Sequence, residues 1–235
     1  MSLQTQPAAP LPSQAGGRLT LPIQTGMDDE VRRLIARLGA DAVRNSDGTE
    51  LPGIVSELAT KVYSTYFVGR GDNAWAEAHP DEATRIFLMS DRVVATADGP
   101  VSIDLLASWF ADQVRPDTGC DVTRWWQVHD RTTGQELPVS AWSIEAGGRT
   151  VTVHEALAGH VYTVSFLAIQ TWDPTQMYNY LTNGWDEDPT RVKEKPFDVR
   201  HEATWSHVRA HLSAWLAEHP EVDVVRFTTF FYHFT

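Results

Sequence analysis

Two runs of β-branched and aromatic residues, Tyr162 to Ile169 and Asp223 to Phe231, constrain this chain more than any other feature. A strand that is apolar at nearly every position has both faces covered, the usual pattern of a parallel sheet flanked by helices. Helical segments lie around these runs. Asp28 to Leu38 repeats Val31, Leu34, Ile35 and Leu38 at helical spacing and ends at Gly39. A second helix is read over Pro52 to Tyr63, a short one over Thr175 to Leu181, and a longer one over Ala203 to Ala217 with Val208, Leu212, Trp215 and Leu216. Asp41-Ala42-Val43 is a short strand followed at once by the polar stretch Arg44-Asn45-Ser46-Asp47-Gly48-Thr49. Strands alternating with helices predict an α/β architecture with a parallel sheet.

Residues 84–155 break that alternation. Ile86–Met89, Arg92–Ala95, Thr123–His129, Ala141–Glu145 and Thr150–His154 read as short strands, with turn signals at Thr133-Gly134 and Gly147-Gly148. Ile103 to Val114 reads as a helix with Leu106, Phe110 and Val114 on one face. This stretch is expected to be a β-rich excursion from the α/β domain, which itself spans residues 18–235.

The remaining composition bounds the function classes. Hydrophobic residues make up 42% of the 235, enough for a core, and the formal net charge is −12. So acidic a chain is a poor partner for nucleic acid or an anionic membrane, since both call for clustered positive charge. With Cys120 as the single cysteine there is no internal disulfide and no thiolate zinc cluster. Residues 1–17, rich in Pro, Gln, Ser and Gly, read as a disordered tail without the basic start and apolar run of an export signal. No run reaches the roughly 18 apolar residues of a membrane span. A soluble, cytoplasmic protein is expected.

Three strand ends gather the chemistry: Arg44-Asn45-Ser46-Asp47, Thr171-Trp172-Asp173-Pro174, and Arg226 within the last run. In a parallel α/β barrel, functional groups collect at the C-terminal ends of strands. Arginines there can hold an anion in bidentate fashion. Trp172, Tyr178 and Trp185 could stack on a sugar ring while Asp47, Asn179 and Asn183 bond its hydroxyls. The bland reading stands beside this one: an Arg near an Asp is often a structural ion pair, and aromatics are more often core than platform. The nine histidines show no H-x-x-x-H pair joined to a carboxylate pattern, so no metal site is expected. There is neither a Gly-rich phosphate loop nor a G-x-S-x-G elbow.

At these same residues the sequence resembles the galacto-N-biose/lacto-N-biose phosphorylases, the 1,3-β-galactosyl-N-acetylhexosamine phosphorylase family. The likeness is carried by Gly39 to Thr49, Asp130-Arg131-Thr132-Thr133-Gly134, Tyr162 to Ala168, Trp172-Asp173-Pro174, Met177-Tyr178-Asn179 and Asp223 to Tyr232, in order from about Arg18 to Thr235. It implies the N-terminal part of a (β/α) TIM-like barrel, incomplete here and interrupted by the β-rich insertion. It implies inverting phosphorolysis of lacto-N-biose or galacto-N-biose to α-galactose 1-phosphate and the free N-acetylhexosamine. The implied partners are that disaccharide and inorganic phosphate, without a metal or organic cofactor; a homodimer of the full-length enzyme is among the expected assemblies. By resemblance Arg44 and Arg226 line the galactose and phosphate region, and Asn179 and Thr175 face the acceptor. Trp172, Asp47 and Tyr178 are added from their positions. Family members are several times longer, and their general acid falls beyond the point matching Thr235, so the isolated chain is expected to be inactive. A β-1,4-galactosyl-rhamnose phosphorylase and a non-catalytic galactoside-binding module are the alternatives.

Overall fold

A computed structural model describes residues 18–45, 50–185, 188 and 190–228. The chain runs through β1 (Thr20–Ile23), α1 (Asp28–Leu38), β2 (Ala42–Asn45), β3 (Lys61–Phe67), α2 (Asn73–Ala78), β4 (Arg85–Met89), β5 (Val93–Val94), β6 (Gly99–Asp104) and β7 (Val114–Pro116). It continues through α3 (Val122–Trp125), β8 (Gln127–Asp130), β9 (Gln135–Glu136), β10 (Trp142–Ile144), β11 (Thr150–Ala156), β12 (Val161–Gln170), α4 (Pro174–Asn183), α5 (Glu202–Glu218) and β13 (Val224–Thr228). Two compact units result. Of the described residues, one unit draws on 18–45, 50–69, 179–185 and 199–228, the other on 70–178, 188 and 190–198. Among the described residues no helix is long and apolar enough to cross a membrane.

The first unit is a parallel sheet in the order β1-β2-β3-β13. Its register decides which side chains share a face, because successive residues of a strand point to opposite sides. Ile23, Val43 and Val62 pack with Val31 of α1 in one core, joined by Leu21 and Ile35. Tyr66, on the same face as Val62, meets α5 edge-on through Trp215 at 5.5 Å and bonds His211 Nδ1 through its hydroxyl at 3.1 Å. Both helices therefore cover one face of the sheet. Asp28, Asp29 and Glu30 complement the amino end of α1, and Gly39, at φ 65°, ends it in the left-handed conformation. A sequentially ordered parallel sheet with its helices on one side is a segment of a (β/α) barrel, not closed among the described residues.

Carboxylates tie the amino-terminal ends of these strands. Asp41 accepts from the backbone of Arg18 and Leu19, and Asp223 accepts from Val62 N and pairs with Lys61 at 2.6 Å. The Leu19 N–H, with those of Arg18, holds the Asp41 carboxyl below its usual range against the opposing pull of desolvation. The folded-state value is thus depressed. Its stabilisation is present above the unfolded value of about 4 and is lost as pH falls through the lower folded one. Asp41→Asn is expected to flatten the acid limb of a stability–pH profile; an unchanged limb would assign the acid sensitivity elsewhere.

The second unit is an antiparallel sandwich. β12 is its spine, pairing with β4, β5, β7 and β8, while β8 also carries β9. A second sheet has the order β10-β11-β6. Val164 and Phe166 of β12 share a core with Ile103, Val151 and Val153 of the other sheet. Phe166, with no exposed surface and Trp126 at 5.5 Å, is a central wedge. Phe166→Ala should cost about 3–5 kcal/mol, read as a lowered urea midpoint of this unit; a loss below about 1 kcal/mol would mean the cavity collapses.

Several expectations are corrected. The run at 162–169 does form a strand, but every partner of it is antiparallel, so it is no strand of the barrel. A strand central to a sandwich is buried on both sides just as a parallel one is, and composition alone does not separate them. The helix read over 52–63 is instead a 3-10 turn, Gly53–Glu57, followed by β3. The helix read over 103–114 is absent: Asp104 Oδ1 accepts from Leu106 N in a turn, Leu105 and Leu106 are buried, and Phe110 is exposed. Thr123–Trp125 belongs to α3 rather than to a strand. The strand of Asp223 onward is the fourth of the parallel sheet, not the third, since β1 and β3 precede it beside β2. The β-rich unit is also wider than residues 84–155, reaching from Arg70 to Tyr178.

Candidate functional site

In the first unit the face turned away from α1 and α5 carries the two candidate arginines, Arg44 and Arg226. Register pairs Arg44 with Tyr63 and Arg226 with Thr65, and Val224 lies beside Tyr63. Arg44, Tyr63, Thr65 and Arg226 therefore occupy one face, with β3 between the two arginines. Arg226 and Thr65 sit two residues, about 6–7 Å, farther toward the carboxyl ends of the strands than Arg44 and Tyr63. Both arginines are half-buried. Arg44 Nη1 donates to the carbonyl of Asn45 at 3.2 Å, and no carboxylate among the described residues pairs with it. Along this face the described positions of β1, β2, β3 and β13 include no aspartate or glutamate between Thr20 and Thr228. Two half-buried guanidinium groups on one face of a sheet are suited to an anion.

Asn45 closes β2. Backbone pairing of β2 with β3 ends at Arg44 and Tyr63, and Asn45 Oδ1 continues it by accepting the Thr65 N–H at 3.1 Å. Sequence reading missed Tyr63 and Thr65 because it placed this stretch at a helix end. The signal was there: Val62, Tyr63, Thr65, Tyr66 and Phe67 are all strand formers. Asp47 lies outside the described residues.

In the second unit Asp173 caps α4. Its Oδ1 accepts from Thr175 N and Gln176 N, each at 3.0 Å, and Pro174 occupies the first helical position, where its missing N–H costs nothing. The same oxygen accepts from Arg70 Nη1 at 2.7 Å, both side chains being almost wholly buried, and Arg70 Nε lies 3.1 Å from Glu194. Burial pushes the Glu194 carboxyl up, Arg70 pulls it back, and Asp173 pushes it further up. Gln176 locks the strap to the helix: its Oε1 accepts from Trp172 Nε1 and Glu194 N, and its Nε2 donates to Val192 O. Trp172 is 6% exposed, and the Lys193 ammonium sits 4.4 Å from its ring centroid. Its indole is thus committed to packing on one face.

The remaining site residues fall on α4. Thr175 is buried, Tyr178 is 55% exposed, and Asn179, counted with the parallel-sheet unit, is 7% exposed. Asn179 Nδ2 is buried without a hydrogen-bond partner among the described residues. An unmet buried amide donor costs about 1–3 kcal/mol, which a ligand acceptor would offset. Trp185 meets Tyr180 edge-on at 6.2 Å; the Asn183 side chain is outside the described set. His207 and His211 of α5 are spaced four apart, a pairing the sequence reading did not credit, but His211 is engaged by Tyr66. No group of three or more potential metal ligands gathers among the described residues.

Residues 17–235 match the family model described as the lacto-N-biose phosphorylase N-terminal TIM barrel domain. The chain belongs to this family. It is 44% identical over 219 residues to a 1,3-beta-galactosyl-N-acetylhexosamine phosphorylase of Bifidobacterium longum subsp. longum, covering 93% of this chain and 29% of that protein. A protein of the same description from Lachnoclostridium phytofermentans is 42% identical over 219 residues, again 93% of this chain and 30% of the relative. A D-galactosyl-beta-1->4-L-rhamnose phosphorylase of that organism is 35% identical over 218 residues, 93% of this chain and 30% of its own length. The chain thus spans about 30% of the length of the curated relatives it matches.

Proposed function

We propose that the protein takes part in inverting phosphorolysis of a β-1,3-galactosyl-N-acetylhexosamine, with Arg44 and Arg226 holding the phosphate and the galactosyl unit. The observation that supports this most is the shared face of the two arginines, opposite α1 and α5, in a chain whose nearer relatives among those compared carry that activity in their names. A phosphate oxygen attacks the anomeric carbon from the side opposite the leaving sugar. The glycosidic carbon–oxygen bond breaks, and the leaving oxygen takes a proton from a carboxylic acid. Because phosphate is already anionic, fixing its approach replaces the base that activates water in an inverting hydrolase. The described face of the parallel sheet has no carboxylate of its own, in keeping with a role in nucleophile binding rather than proton donation. Asn179, with its unmet amide donor, and Thr175 serve the acceptor sugar in this reading.

The test is product analysis with protein made from the complete gene. Incubation with lacto-N-biose and phosphate should give galactose 1-phosphate and N-acetylglucosamine, and no turnover without phosphate. Release of free galactose would point to hydrolysis. Turnover of a galactosyl-β-1,4-rhamnose with none of lacto-N-biose would move the acceptor assignment to the more distant relative's class.

A further inference from the structure

Asn45 occupies a position that neither the sequence motifs nor its own polarity explains. It is 4% exposed, at the carboxyl end of a strand, where a polar side chain is tolerated only when bonded. Its two carbonyl groups do different things. The backbone oxygen accepts from Arg44 Nη1 at 3.2 Å, and the side-chain oxygen accepts from Thr65 N at 3.1 Å. The first contact restrains a guanidinium whose stem is otherwise free to turn about several bonds. The second extends the pairing of β2 with β3 one step past the end of their ladder, at the level where Thr65 lies beside Arg226.

We propose that Asn45 is a positioning residue for anion binding. It fixes Arg44 relative to the Thr65–Arg226 level, so that both guanidinium groups and the Thr65 hydroxyl address one tetrahedral oxyanion. The proposal rests on the reading of Arg44 and Arg226 as the phosphate-holding pair. An amide is the side chain this place calls for. It accepts the Thr65 N–H as a carboxylate would, yet adds no negative charge within a few ångströms of the bound anion. The oxyanion is inorganic phosphate, and the site discriminates against any neighbour that would repel it.

The change Asn45→Asp separates positioning from mere structure, because it keeps the shape and the acceptor for Thr65 while adding a charge. In protein made from the complete gene, it should leave the melting midpoint within a few degrees. It should raise KM for phosphate on the order of tenfold or more while changing KM for the disaccharide little. Asn45→Ala should lower the melting midpoint and raise KM for phosphate as well. An Asn45→Asp enzyme with unchanged KM for phosphate would overturn the proposal, leaving Asn45 as a strand tie alone. Titration of inorganic phosphate followed by its phosphorus resonance makes the same comparison without turnover. If the unsubstituted protein binds phosphate but does not cleave lacto-N-biose, the functional reading fails, while loss of that binding in Asn45→Asp still supports the positioning role. Equal phosphate binding by the two proteins overturns it.

Discussion

Lysine in place of Arg44 or Arg226 is expected to lower kcat/KM for phosphorolysis by roughly 30- to 1000-fold, equivalent to about 2–4 kcal/mol. Both arginines are half-buried on the face of the parallel sheet away from α1 and α5, with β3 between them. A guanidinium presents two parallel donors to a phosphate or to adjacent sugar hydroxyls, whereas an ammonium presents a point charge that does not copy this geometry. The charge is conserved by the change, so the loss measures the fork rather than the electrostatics. KM for phosphate should rise with kcat falling, because the contact tightens as charge redistributes around the transferred group. Asn179→Ala should act differently, raising KM for the acceptor with a smaller effect on kcat. The competing reading is that either arginine only braces the sheet. That reading expects a lowered melting midpoint with near-normal kinetics, and measuring both on the same variant decides for that residue.

What was legible in the sequence follows from which signals are local. The helix at Asp28–Leu38 was readable because amphipathic spacing and a terminating Gly39 act within a few residues, and Glu202–Glu218 because its long run lacks Gly and Pro. The strand at Val161–Gln170 was readable as a strand but not as antiparallel, because its partners lie dozens of residues away and burial on both faces looks the same in either sheet. β1 escaped notice, being four residues long with a proline inside it; as an edge strand it tolerates Pro22. Arg44 and Arg226 were named from motif and strand position, yet their shared face needs the register through β3, a strand read as part of a helix. Trp172 shows the limit from the other side. An aromatic after a strand looks like a sugar platform, but its indole N–H is bound by Gln176 and a lysine sits on its ring.

The largest structural effect is expected at Asp173. Its carboxylate takes Arg70, Thr175 N and Gln176 N on one oxygen, in surroundings from which water is nearly excluded. Asp173→Ala removes the cap of α4 and the carboxylate that lies 2.7 Å from the Arg70 guanidinium. Removing one partner of a buried ion pair costs about 3–5 kcal/mol and a lost cap about 1 kcal/mol more. Losses of that size should unfold the first turn of α4 locally before the whole unit, so amide exchange should accelerate at Thr175 to Asn179 first. Asp173→Asn divides the two contributions. The asparagine oxygen still accepts from the helix amides, so the cap survives and only the charge is removed. With Asp173 neutralised, one of the two influences raising the Glu194 carboxyl is gone. Glu194 should then ionise at lower pH and pair more closely with Arg70. Asp173→Asn should therefore retain most of the α4 protection that Asp173→Ala loses. If both variants exchange equally fast, the ion pair rather than the cap sets the start of α4. If neither does, the Gln176 clamp onto the 192–194 strap holds the helix by itself, and Gln176→Ala becomes the variant that should release it.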